Sequence, residues 1–211
     1  MCRREEKPDG LFDYDSGMKD DELLEKLWED ENAPLTDSDI DDQNQYLLKQ
    51  QQNFRIAADY VTSALVQFRD VKRVVLFGSV AKSLVKEIPR FRKYRREGIA
   101  VWHECKDVDL AVWVDDLSCL NELRKATSGA LNKLLDEKNI GVAHHQVDIF
   151  IMEPGTDRHL GNLCRYGTCP KGKIDCNVPV CGEPPFLQQH ENFILDPEAL
   201  ETGKYILLYE R

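Results

Sequence analysis

Three short apolar runs constrain the middle of the chain: Arg73-Val74-Val75-Leu76-Phe77, Val108-Asp109-Leu110-Ala111-Val112-Trp113-Val114 and Val147-Asp148-Ile149-Phe150-Ile151. They are rich in β-branched and aromatic residues and too short for ordinary helices, so each reads as a buried strand. Helical periodicity lies before and between them. From about Asn44 to Phe68, residues Phe54, Ala57, Ala58, Val61, Ala64, Leu65 and Phe68 repeat at i, i+3, i+4, i+7, the spacing of one buried helix face. Leu117, Leu120, Leu123, Ala130, Leu131, Leu134 and Leu135 do the same between the second and third runs, and Asn139-Ile140-Gly141 closes that helix. Strands separated by helices predict an α/β layer fold.

Charge divides the chain further. Residues 1–42 hold 16 Asp/Glu and 5 Lys/Arg, whereas residues 43–211 hold 22 acids and 23 bases. The net charge of −10 therefore belongs to an acidic N-terminal extension and says nothing against an anionic substrate. That extension reads either as a solvated segment or as an arm packing through Leu23, Leu24, Leu27 and Trp28. Residues 43–152 form the expected core. Residues 153–211 are punctuated by glycine and proline and read as a loop-rich, cysteine-containing C-terminal appendage in which only Tyr205-Ile206-Leu207-Leu208-Tyr209 is strand-like. No apolar run approaches a membrane span, and Met1-Cys2-Arg3-Arg4-Glu5-Glu6-Lys7 does not lead into an apolar signal core, so the expected compartment is the cytoplasm, with no membrane partner.

Three carboxylates lie in or beside the apolar runs, where an unpaired charge is costly to bury: Asp107, Asp109 and Asp148. Asp107 and Asp109 are two residues apart, so on a strand both project to one face. Such a pair repels unless a cation intervenes, and Mg²⁺ suits hard oxygen ligands completed by water and phosphate. Asp148 would supply a third oxygen ligand in a two-metal arrangement if its strand lies beside the first pair. A strand also delivers Gly78-Ser79, where a close backbone approach and a hydroxyl would suit phosphate, with Lys82 shortly after as a second phosphate group. The turn is expected to open a helix through Val80-Ala81-Lys82-Ser83-Leu84-Val85-Lys86.

Leu76-Phe77-Gly78-Ser79-Val80-Ala81-Lys82, Asp107-Val108-Asp109-Leu110-Ala111-Val112 and Val147-Asp148-Ile149-Phe150 together resemble the nucleotidyltransferase superfamily typified by DNA polymerase β, especially its minimal members. The resemblance covers about residues 53–152. It implies a small mixed sheet with flanking helices, a Gly78-Ser79 turn that holds a triphosphate, and metal bound by Asp107 and Asp109. It further implies that Asp148 completes the site and helps activate the acceptor hydroxyl. The implied reaction transfers a nucleoside monophosphate from a Mg-bound nucleoside triphosphate to a hydroxyl, with acceptor and base unspecified. The alternative is a non-catalytic nucleotide- or partner-binding module of toxin–antitoxin or regulatory type on the same fold.

In this family the paired acids usually follow Gly-Ser by a dozen or so residues, but here Asp107 lies 28 beyond Ser79, which implies an insertion around 84–105. It carries Lys86, Arg90, Arg92, Lys93, Arg95 and Arg96, interleaved with Phe91 and Tyr94, a pattern that suits a polyphosphate, a single-stranded nucleic acid or a solvated loop. His103, Cys105, His144 and His145 read as incidental. Cys164, Cys169, Cys176 and Cys181 cluster near the C-terminus, with structural Zn²⁺, reduced thiols, and a disulfide or iron–sulfur arrangement as the open readings. His159 or His190 would be able to replace one of these ligands, and Lys171 and Lys173 lie in the same segment.

Overall fold

A computed structural model describes residues 33–166, 183–189 and 195–211. Leu23, Leu24, Leu27, Trp28, Cys169, Lys171, Lys173, Cys176, Cys181 and His190 lie outside these residues. The chain divides into residues 1–36 and 37–211, and the architecture below is that of the second unit.

The long helix α1 (Asp37–Leu65) begins seven residues before the apolar periodicity does, because Asp37 and Asp39 complement the positive end of its dipole. The acidic segment thus ends inside a helix. Leu47, Phe54, Ala57, Ala58, Val61 and Leu65 form its buried stripe, which also contains the polar residues Asn44 and Gln51. After α1 come β1 (Val71–Phe77), a single helical turn α2 (Gly78–Ala81), β2 (Lys86–Glu87), α3 (Arg92–Glu97) and β3 (Val101–Trp102). They are followed by β4 (Val108–Val114), α4 (Leu120–Lys138) and β5 (Val147–Met152), then β6 (His159–Leu163), β7 (Leu187–Gln188) and β8 (Ile206–Glu210). No helix among the described residues is long and apolar enough to cross a membrane.

The principal sheet has six strands in the order β7-β6-β5-β4-β1-β8, so the protein is mixed α/β. Only β4 and β5 are parallel, as the long crossover through α4 permits, and every other neighbouring pair is antiparallel. Strand alternation divides the core in two. Val74, Leu76, Val108, Leu110, Val112, Ile149 and Ile151 join the buried stripes of α1 and α4. Val75, Phe77, Ala111, Trp113, Phe150 and Met152 face the other way and are covered by Leu195, Ala199, Leu200 and Tyr205.

The sequence and the structure differ at four places. Described residues of the segment expected to be a loop-rich appendage, His159–Leu163, Leu187–Gln188 and Ile206–Glu210, instead supply β6, β7 and β8 to the sheet. Gly161 is one of the residues that makes this segment look loop-like, yet it sits inside β6, where a Cβ would come within 2.7 Å of the Gln188 carbonyl oxygen. The helix expected to run from Gly78 through Lys86 stops after one turn, because Lys82 is extended at φ −89° and ψ 162°. Finally, Leu135 is exposed rather than buried, and Asn139, at φ 54°, makes the left-handed cap of α4 that the glycine was expected to provide.

Candidate active site

The carboxyl end of β1 meets the amino ends of β4 and β5. Phe77 is the cross-strand partner of Asp109, and Asp109 is in turn in register with Asp148 on the parallel strand. Val108 and Leu110 point toward the helices, so Asp109 shares the opposite face with Ala111 and Trp113, and Asp148 shares it with Phe150. The strand of Asp148 lies beside that of Asp109, as the sequence reading required.

Immediately beyond Phe77 the backbone enters the left-handed region at Gly78, with φ +73°. A Cβ there would lie 2.3 Å from Asp109 Oδ2. Glycine is thus required twice, once for the backbone angle and once so that the turn can press against the carboxylate. Ser79 follows and lines a cavity of about 260 Å³ together with Asp107 and Asp109. Glu87, Arg90, His103, Glu104 and Lys106 complete the lining.

The turn is held from beneath by α1. Gln51 Nε2 donates to the Lys82 carbonyl at 2.7 Å and to that of Ser79 at 3.3 Å. Arg55 donates from Nε to the Val80 carbonyl at 2.9 Å and from Nη2 to that of Lys82 at 3.3 Å. These carbonyls end a helix of one turn, so they lack the partners that a longer helix would provide. So short a helix also has little summed dipole, which leaves the phosphate argument to the turn amides, the Ser79 hydroxyl and nearby side chains. Lys82 is exposed and is not among the residues lining the carboxylate cavity.

Burial, then the charges of Asp148 and Asp107, push Asp109 from an ordinary 3.8 up to about 7. Near neutrality this carboxyl exchanges its proton unless a cation neutralises the cluster. Asp148 meets one cation already, forming a close ion pair with Arg165 Nη2 just past β6. On that side a second cavity, of about 450 Å³, is lined by Asp148, Asn162, Leu163, Arg165, Tyr166 and Gln188.

Among the described residues, no three His, Cys, Asp or Glu side chains are gathered so as to hold a metal ion. Two of the acids do share one cavity, and Mg²⁺ commonly takes only one or two carboxylates, completed by water and substrate phosphates. Burial raises Asp109 first and its acidic neighbours second, and a hard divalent cation would offset both by stabilising the charged carboxylate, so Asp107 and Asp109 fit this role.

Other residues from the sequence reading have defined places. His103 lines the carboxylate cavity, with Nδ1 2.8 Å from Glu87 Oε1. Cys105 is buried and hydrogen-bonded to Ser79 and Gln51, and burial pushes its thiol up, away from the nucleophilic thiolate. His144 is held below its usual value by burial and then by Arg165 and Arg124, whereas His145 is exposed. His159 Nε2 lies 2.8 Å from Asn162 Oδ1. Cys164 is buried, and the other three members of the expected zinc cluster lie outside the described residues.

Gln51, Arg55 and Arg165 belong to no motif in the sequence. For Gln51 a signal existed, since a polar residue within an apolar helical stripe needs a partner when buried. Arg165 stands in an irregular segment and carried no such signal. No family model matches the chain, and neither a curated protein nor a solved structure matches it.

Proposed function

We propose that the protein is a metal-dependent nucleotidyltransferase of the minimal, DNA polymerase β-like type, moving a nucleoside monophosphate from a nucleoside triphosphate to an acceptor hydroxyl. The observation that carries this reading is the register of Asp109 with Asp148, with Gly78 pressed against Asp109 and Ser79 in the same cavity as Asp107. Strands β4 and β5 fix the acids, and β1 delivers the turn that faces them.

Asp107 and Asp109 would hold Mg²⁺, which supplies charge neutralisation at the phosphates. Ser79 and the turn amides bind phosphate oxygens, and the α1 side chains hold that turn in place. The acceptor oxygen bonds to the α-phosphorus as the bond from that phosphorus to the β-bridging oxygen breaks. Pyrophosphate leaves with the bonding electrons, and the acceptor proton passes to Asp148 or to water. Positioning and charge neutralisation supply most of the rate. Structural zinc at Cys164, Cys169, Cys176 and Cys181 remains part of the proposal.

The test incubates wild type and Asp109→Asn with Mg²⁺ and each α-phosphate-labelled triphosphate, in host extract fractionated into protein, RNA and small molecules. Label should enter one fraction with wild type and fall at least about 100-fold with the variant. Full activity of Asp109→Asn would remove the site assignment. The Asp148–Arg165 ion pair favours a second reading, a nucleotide-binding module without transfer, because the third carboxylate is neutralised from within the chain. Mg-dependent triphosphate binding with no label moved in any fraction is the outcome that selects it.

A further inference from the structure

We propose that the insertion 84–105 forms the polyphosphate wall of this site, with Arg90 and its neighbour Lys106 engaging the phosphates that depart as pyrophosphate. The inference rests on the nucleotide reading above and adds a role for a segment which that reading does not use.

The insertion is built into the fold. Lys86 and Glu87 pair with Trp102 and Val101 in the β2–β3 ladder, and His103 N–H closes onto the Val85 carbonyl at 3.1 Å. Two contacts tie it to α1. Trp102 N–H donates to Asn44 Oδ1 at 2.7 Å, and Tyr94 O–H donates to the Asp39 carbonyl at 3.1 Å. Asn44 is only 6% exposed and Val101 is fully buried, so the hairpin is anchored to the core through β3 while Lys86 and Glu87 of β2 stay exposed. Anchored in this way, it presents Glu87, Arg90 and His103 to the cavity that holds Ser79, Asp107 and Asp109.

Of the six Lys and Arg residues in the insertion, Arg90 is the one that lines this cavity. Arg95 and Arg96 sit in the last turn of α3 and are exposed. The cavity lining also contains Lys106 and the carboxylates of Glu87, Glu104, Asp107 and Asp109. Acids therefore outnumber the fixed cations there, and a bare triphosphate would be repelled. A metal-bound triphosphate is not, since the metal offsets the acids while Arg90 and Lys106 pair with oxygens it does not reach. The Glu87 contact fixes the orientation of the His103 ring beside them. Guanidinium suits this task because its planar fork can bind two phosphate oxygens together.

The experiment is calorimetric binding of a non-hydrolysable nucleoside triphosphate with and without Mg²⁺, which requires no acceptor. Arg90→Gln and Lys106→Gln should each weaken Mg-dependent binding about ten-fold, roughly the loss of one charge-assisted hydrogen bond. Arg90→Lys should recover part of it. Arg95→Gln/Arg96→Gln removes more charge outside the cavity and should leave binding unchanged, and chelation of Mg²⁺ should abolish binding by wild type. If wild type binds and both cavity variants bind equally well, the wall assignment is overturned while the nucleotide reading stands. Equal weakening by the α3 variant would replace it with a diffuse electrostatic effect. If wild type binds no triphosphate with Mg²⁺, both proposals fall.

Discussion

Replacing Gly78 by alanine separates two costs that the structure superimposes at one residue. The left-handed backbone at φ +73° costs an alanine about 1–2 kcal/mol. The added Cβ would also lie 2.3 Å from Asp109 Oδ2, so the carboxylate must rotate away, at a further cost of about 1 kcal/mol for an off-rotamer side chain. Gly155 is the internal reference: its φ is +71°, and a Cβ there meets nothing within 4 Å. Gly155→Ala should therefore show the backbone cost alone, and Gly78→Ala should exceed it by about 1 kcal/mol, roughly 2–4 °C in melting temperature for a domain of this size. Adding Asp109→Ala to Gly78→Ala should remove the excess, giving a coupling of about 1 kcal/mol in a double-mutant cycle followed by urea unfolding. Nucleotide binding by Gly78→Ala should fall further than its stability, because the displaced carboxylate is the proposed metal ligand. Equal melting points for the two glycine variants, or strict additivity with Asp109→Ala, would refute the close approach of turn and acid.

The pH dependence of stability carries a sign that is easy to check. Asp109 is raised from 3.8 to about 7, first by burial and then by Asp148 and Asp107, so the folded chain holds this proton more tightly than the unfolded chain. Its contribution is fully present below about pH 4 and is lost as pH rises through about 7. Urea midpoints of metal-free wild type should consequently decline across that window relative to Asp109→Asn, and parallel profiles would contradict the shift. Arg165→Gln frees Asp148 from its guanidinium partner and should tighten Mg²⁺ binding measured by titration calorimetry. Unchanged or weaker binding would show that the arginine does not compete with a cation.

Much of this arrangement is written locally in the sequence, and the exceptions have identifiable causes. The three acid-bearing runs could be placed as strands because apolar β-branched stretches bounded by turns have few other solutions. A spacing of two suits the cavity that Asp107 and Asp109 share, although Asp107 stands just before β4. That β4 and β5 are neighbours is a property of topology, which the crossover through α4 permits but does not by itself specify. Strand β6 escaped notice because Gly161 resembles punctuation, although it serves close approach to Gln188. The helix expected to carry Lys82 ends one turn after Gly78, so Lys82 stands in extended backbone just past it, outside the lining of the carboxylate cavity. Arg165 meets Asp148 across 17 residues of chain, through the β5–β6 pairing, and no local pattern encodes that meeting.

Asn44 and Gln51 show how the long-range part of the site is encoded. They occupy one buried stripe of α1 seven residues apart, which places them about 10 Å from each other along a rigid axis. One receives the Trp102 amide of the insertion, and the other donates to the carbonyls of Ser79 and Lys82. The helix therefore sets the separation between the insertion wall and the phosphate turn. Leucine at either position would preserve the helix and its apolar face but remove a part-buried hydrogen bond, at a cost of about 0.5–1.5 kcal/mol. The acids arrive by a separate route, through the register of β4 with β1 and β5. The two scaffolds meet at Gly78, where the turn held by α1 touches Asp109 of the sheet. Correct spacing between phosphate groups and metal ligands thus depends on α1 packing on the sheet in a single arrangement, which its small residues Ala57 and Ala58, both fully buried, allow at close range.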